Sequence, residues 1–203
     1  MNGFEIFPFV SFLILLILIS GRVVFLKRKG VQVSSDSGKK NKPVLLLFSA
    51  FLLIILMWLF ELIKPVFQIS ISVLPEWIVN PLIESLLMKI AGIVVTCFAL
   101  LFMLITLLHF KNSLRFGLNK KNAGELITTG VFAFSRNPFF LSLNMYFLGI
   151  ALLQPNLFFM GFAILTLVSI HFFILKEEKF IRSVYGEKYL EYLKKVRRYL
   201  GKY

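Results

Sequence analysis

Ser135-Arg136-Asn137-Pro138-Phe139-Phe140 sets a guanidinium, an amide and a proline side by side just where an apolar run begins. Asn is a favoured N-cap and Pro suits the first helical position, so the stretch predicts a helix starting at Pro138. The first-turn N–H groups of such a helix, next to Arg136, can hold an anionic group such as a carboxylate. The same residues would equally make a capped helix whose arginine snorkels to an interface. Lys176-Glu177-Glu178-Lys179 supplies the opposite charge at the end of a later apolar run. Adjacent carboxylates on a helix project about 100° apart, so at most one of them turns inward, to a cation or toward Arg136. Read blandly, the pair is a solvated exit from an apolar segment. Acidic groups near a helix C-terminus oppose the helix dipole, however, and call for a compensating partner.

These residues must be positioned by a chain that is 58% hydrophobic over 203 residues. Its mean hydropathy is +0.84. Such a chain is too apolar for a water-soluble domain, and several segments reach the roughly 20 apolar residues that cross a bilayer. Lipid leaves no partner for an unpaired backbone group, so helices are expected. The fold class is therefore all-α, a polytopic membrane protein with about five transmembrane helices. The apolar segments cover approximately 4–26, 44–63, 86–110, 138–153 and 157–175. Residues 64–85 are mixed, with room for a short interfacial helix, and Gln154-Pro155-Asn156 closes a tight hairpin between the fourth and fifth segments. We divide the chain into three N-terminal membrane helices over 1–110 and a second half, 111–203, that gathers the chemistry.

The net charge of +13 falls between the apolar runs rather than across a surface. Lys27, Arg28, Lys29, Lys39, Lys40 and Lys42 lie in one loop, Lys111, Arg115, Lys120, Lys121 and Arg136 in another, and nine more in the tail, whereas Lys64 stands in the loop on the other side. This asymmetry predicts an N-terminus outside and a C-terminus in the cytoplasm, in a bacterial or archaeal cell membrane. Nothing alternates basic and aromatic residues as a nucleic-acid module would, so no nucleic-acid partner is expected. Cys97 is alone inside an apolar run and only His109 and His171 accompany it, so neither a disulfide nor a metal site is expected. The two histidines and Glu61 read as interfacial hydrogen-bonding residues. In the tail, Ile181, Tyr185, Tyr189, Tyr192, Val196 and Tyr199 recur at helical spacing among Lys and Arg. That is an amphipathic cytoplasmic helix, broken at Gly186.

The order of these features resembles the C-terminal half of the isoprenylcysteine carboxyl methyltransferase family, within the wider group of integral-membrane methyltransferases that includes phospholipid methyltransferases. The resemblance runs over residues 111–200. It is carried by Gly130-Val131-Phe132, Arg136-Asn137-Pro138-Phe139-Phe140, the hairpin, Glu177-Glu178-Lys179-Phe180-Ile181, Tyr185-Gly186, and Tyr189 with Tyr192. It implies an S-adenosylmethionine-dependent methyltransferase acting on a lipid or lipidated acceptor that enters from the bilayer, a prenylcysteine-like carboxylate among the choices. In that reading Arg136, Asn137 and Glu178 are the catalytic set. Gly130, Phe132, Arg136, Asn137, Pro138, Phe140, Glu177, Glu178, Tyr185 and Tyr189 form the cofactor site. The Asn137-Pro138 helix start and Arg136 take the cofactor's carboxylate, Glu177 or Glu178 its ammonium, and Phe132, Phe140 and Tyr185 its adenine, with the tail as a lid. Asn137 stands where many members carry His, and Asn can donate a hydrogen bond but cannot serve as a base near neutral pH. The turn before the Glu pair, His171-Phe172-Phe173-Ile174, lacks the Arg that carboxyl-methylating relatives tend to have. An acceptor amine or hydroxyl is therefore as suitable as a carboxyl. Two other activities fit the same outline: an NADPH-dependent membrane reductase related to sterol reductases, and a non-catalytic membrane-embedded binder.

Overall fold

The computed structural model describes residues 3–30, 42–110 and 126–203. Within them the chain is helical: α1 (Gly3–Arg28), α2 (Lys42–Phe67), the single-turn α3 (Glu76–Val79), α4 (Leu86–His109), a 3₁₀ turn (Gly130–Ala133), α5 (Pro138–Leu153), α6 (Leu157–Tyr185) and α7 (Glu187–Lys195). Four of these, α1, α2, α4 and α6, are long and apolar enough to cross a membrane, and α5 is a shorter apolar helix of 16 residues. The expected all-α polytopic membrane architecture is thus the observed one. Much of the basic-residue asymmetry that suggested an orientation falls on 31–41 and 111–125, outside the described residues.

Punctuation explains where the helices start and stop. The Ser85 hydroxyl accepts from the Met88 N–H to begin α4, and Asn156 Oδ1 accepts from the Phe159 N–H, 2.9 Å, to begin α6. The second arm of Asn156 donates to the Val79 carbonyl, 2.9 Å, and so ties α3 to the hairpin turn. Pro138 occupies the first turn of α5, and the chain leaves that helix at Gln154-Pro155. No breaker interrupts the chain after Leu175, and α6 runs on to Tyr185, ten residues past the expected end of the fifth segment. At ~1.5 Å per residue, Glu178 lies about 32 Å from the start of α6, close to the full thickness of a hydrocarbon core. The backbone turns at Gly186, where φ is +53°, and α7 folds back.

The tightest packing is between α4 and α5, and small residues make it possible. Gly92, Thr96, Ala99 and Met103 form a buried stripe on α4. A Cβ added at Gly92 would sit 2.7 Å from the Leu153 nitrogen and 2.8 Å from the Gly149 carbonyl oxygen, and one at Gly149 would sit 2.9 Å from the Thr96 nitrogen. Backbones that close are the packing solution available where lipid tails are as apolar as Leu. Gly149→Leu is therefore expected to destabilise the protein by about 1–3 kcal/mol or more. Thermal melts in detergent should show this as a clear drop in Tm. Trp58 of α2 anchors the other side of the core, ringed by Phe12, Phe147, Phe159 and Phe162 at 5.3–6.1 Å between centroids. The Tyr146 hydroxyl reaches Ser11 across the bundle, 3.3 Å, linking α5 to α1.

Tyr189 and Tyr192, on the apolar face of α7, and Val196 just after it are buried against Leu126, Ile181, Tyr185 and Leu193 of the same chain. Beyond α7 the chain makes a tight turn in which the Arg197 N–H donates to the Gly201 carbonyl, 2.8 Å. The Gly201 N–H then donates to the Phe134 carbonyl, 2.7 Å, and the Arg136 N–H to the Arg197 carbonyl, 3.2 Å. The C-terminal segment is thereby strapped along residues 134–136, at the start of α5.

Candidate active site

The Glu178 carboxylate lies where the start of α5, the middle of the α6 extension and the C-terminal strap converge, and the residue is 9% exposed. Its Oε1 accepts from Asn137 Nδ2 at 3.1 Å and is ion-paired to Arg136 Nη2, also at 3.1 Å. Its Oε2 accepts from Arg198 Nε at 3.1 Å and Nη2 at 3.0 Å, a bidentate grip that raises Arg198 further above its ordinary range. Asn137 Nδ2 also donates to the Arg198 carbonyl, 3.2 Å. Of the two adjacent carboxylates, then, Glu178 turns inward and meets Arg136. Glu177 is half-buried next to it and has no hydrogen-bond or ion-pair partner among the described residues.

Asn137 does begin α5, but its side chain does not cap the helix. The amide is drawn to Glu178 and the strap instead, because a charged acceptor makes the stronger hydrogen bond. The Asn137 N–H donates to Ser135 Oγ, 3.1 Å, and Ser135 is completely buried. The Tyr192 hydroxyl donates to the Phe132 and Ser135 carbonyls and holds the loop from the α7 side. Tyr189 is buried in the same layer. Burial first, and the Glu178 charge for Tyr189, push both phenols above their ordinary range, so they stay neutral donors.

Two arginines against one inward carboxylate leave a surplus positive charge, increased by the positive end of α5. Arg136 Nε is buried and has no hydrogen-bond partner among the described residues. A buried unpaired guanidinium N–H is costly, and an anionic ligand group would satisfy it. The arrangement thus leaves room for the chemistry of an anionic group at Arg136.

The remaining expected site residues lie in several neighbourhoods. Phe132 is buried and meets Phe110 edge-on, 5.0 Å between centroids. Phe140 packs on Phe139 and Phe173, both at 5.4 Å, and Pro138 is buried in the first turn of α5. Tyr185 belongs to the α7 cluster. Gly130 has φ +64°, and a Cβ there would overlap the His109 ring, which is held by a hydrogen bond between Nδ1 and the Ile105 carbonyl, 2.8 Å. Gly130→Ala should therefore cost more than the ~1–2 kcal/mol of a left-handed alanine, and it should depress Tm and activity together. Removing the ring as well, in Gly130→Ala with His109→Ala, should recover part of the loss.

Arg198 is the site residue that sequence reasoning missed. In Lys194-Lys195-Val196-Arg197-Arg198 it looks like one more solvated cation of a basic tail. The usable signal lay in Glu178 itself, since a buried carboxylate opposed by a helix dipole needs more than one donor. His171 and Tyr199 share a hydrogen bond and stack nearby, a further tie between α6 and the strap.

A family model for phospholipid methyltransferases matches residues 87–188. The match spans half of the chain and takes in α4, α5, the hairpin, Arg136 and both glutamates. The chain belongs to the phospholipid methyltransferase family. It is accordingly a membrane methyltransferase of a lipid-methylating family. The match begins earlier than the resemblance at 111–200, because α4 is packed into α5 along its whole length and is part of the family unit. It ends before Tyr189, Tyr192 and Arg198, so the strap that completes the Glu178 clamp lies beyond it. No curated protein matches the chain significantly.

Proposed function

We propose that this phospholipid methyltransferase family member uses S-adenosylmethionine to methylate a polar group of a lipid that reaches the site from the bilayer. The observation that carries the reading is the Arg136–Glu178–Arg198 cluster, with its buried and unsatisfied Arg136 Nε. S-adenosylmethionine, when bound, supplies a methyl group on a positively charged sulfur, ready for displacement by the acceptor's lone pair. Its carboxylate suits Arg136 Nε and the start of α5, and its ammonium suits Glu177. Glu178 is then a positioning residue: it fixes the angle of Arg136 and the closure of the strap through Arg198. Asn137 joins the two halves of that clamp. The chain needs no nucleophile of its own, since catalysis of a displacement rests on orientation and on exclusion of water. Burial of Tyr189, Tyr192 and Ser135 excludes water on the strap side. The basic residues at the end of α1 and in the tail favour a cytoplasmic position for this site, with the N-terminus outside. Membership in a methyltransferase family favours this reading over a nicotinamide-dependent reductase or a non-catalytic binder.

Calorimetry on the detergent-solubilised protein tests the assignment. Glu177→Gln should weaken S-adenosylmethionine binding by about tenfold or more, the worth of one charge-assisted contact, with Tm unchanged. Saturable binding that this substitution leaves intact would remove Glu177 from the cofactor site.

A further inference from the structure

The end of the bundle opposite the active site holds a second, unassigned cavity of about 430 Å³. α5 separates the two: 16 residues at ~1.5 Å each put Leu153, in the cavity wall, about 24 Å from the helix start at Pro138. Four parts of the chain build it: the start of α1, the end of α2, the segment from Val79 to Lys89, and the hairpin turn at Leu153–Asn156. The walls are apolar in part, with Phe4, Ile69, Ile83 and Leu153, yet they carry charges of both signs. Glu61, 7% exposed, is ion-paired to Lys64 at 3.1 Å, and Glu5, Glu84 and Lys89 complete the charged lining. A largely buried ion pair gives little net stability to a membrane bundle, because desolvation offsets much of the attraction. The Glu61–Lys64 pair contributes a fixed negative and a fixed positive pole to the cavity.

We propose that this cavity binds a zwitterionic headgroup, an ammonium and a phosphate joined by a short linker, at the membrane face opposite the methyl-transfer site. Three carboxylates and two ammonium groups match both poles of such a group. A purely anionic headgroup would meet Glu5, Glu61 and Glu84 unfavourably. The apolar wall of Phe4, Ile83 and Leu153 accommodates a glycerol and the first carbons of an acyl chain. The distance excludes methyl transfer to a molecule held there. The cavity is a second lipid site that steadies the α1–α2–hairpin end of the bundle. It does not rest on the cofactor assignment.

Native mass spectrometry of the full chain in detergent tests this. The probes are dioleoyl phosphatidylethanolamine, dioleoyl phosphatidylglycerol and soluble glycerophosphoethanolamine. Phosphatidylethanolamine should be retained in preference to phosphatidylglycerol. The double substitution Glu84→Gln with Lys89→Gln should reduce that retention about tenfold, and Glu177→Gln should leave it unchanged. Competition by glycerophosphoethanolamine at equal affinity would assign the same chemistry to a free zwitterion rather than to a lipid. Equal retention of the two lipids would overturn the proposal. So would retention that ignores Glu84 and Lys89 but is lost in Glu177→Gln, since the lipid would then occupy the methyl-transfer site.

Discussion

Glu178→Gln is expected to lower methyl transfer by about 10³-fold and to loosen the C-terminal strap. The carboxylate is ion-paired to Arg136 and accepts from Asn137 and from both Nε and Nη2 of Arg198. A neutral amide keeps the shape but leaves two guanidinium groups facing each other without their counter-ion. Breaking a buried ion pair by removing one partner costs about 3–5 kcal/mol, which corresponds to a rate or affinity factor of roughly 10²–10⁴. Arg198 is about one-third exposed and can turn to solvent, so the larger share falls on Arg136. Glu178→Asp, a charge one carbon too short, should recover part of the activity. Protease sensitivity of the tail gives an independent readout, because the Asn137–Arg198 and Arg136–Arg197 ties all lie within this cluster. Normal activity in Glu178→Gln would show that the clamp is not required.

Arg136→Ala should have an effect of similar size through a different route. It removes a contact to Glu178 and also the unsatisfied Nε that faces the proposed carboxylate position. Binding of S-adenosylmethionine should weaken by about 10²-fold, whereas Glu178 stays held by Arg198 and Asn137 and Tm should fall only modestly. Arg136→Lys separates the two functions. An ammonium can restore the ion pair to Glu178, but it cannot also present the second N–H of the planar fork, so stability should return while cofactor affinity stays low. A lysine variant with full affinity would place the carboxylate elsewhere.

Local punctuation made α5 readable from the chain alone. Asn137-Pro138 and Gln154-Pro155 bracket it to the residue. The end of α6 was misjudged because hydropathy falls at Lys176 although nothing there breaks a helix, and the chain stays helical until Gly186. That extension is what brings Glu178 level with the start of α5. Helix periodicity allowed one glutamate to turn inward, to a cation or toward Arg136, without choosing that over a solvated exit. The second arginine was not legible at all, because Arg198 reaches the site through a turn set by Gly201 and two backbone hydrogen bonds to residues 134–136. No periodicity in the tail encodes such a crossing. The α4–α5 contact was hidden for a similar reason. Gly92 and Gly149 look incidental in apolar runs, and their meaning appears only when the two backbones meet. The charged cavity at the far end likewise joins residues as distant in sequence as Glu5 and Asn156.

The most direct test of the central claim follows methyl-labelled S-adenosylmethionine. The purified full chain is reconstituted with its own membrane lipid extract, and the organic phase is assayed for label beside Glu178→Gln. We predict label in a lipid fraction from the unsubstituted protein and about 10³-fold less from Glu178→Gln. Well-folded protein that binds the cofactor but transfers no label to any lipid, or transfers it equally well without Glu178, would contradict the account.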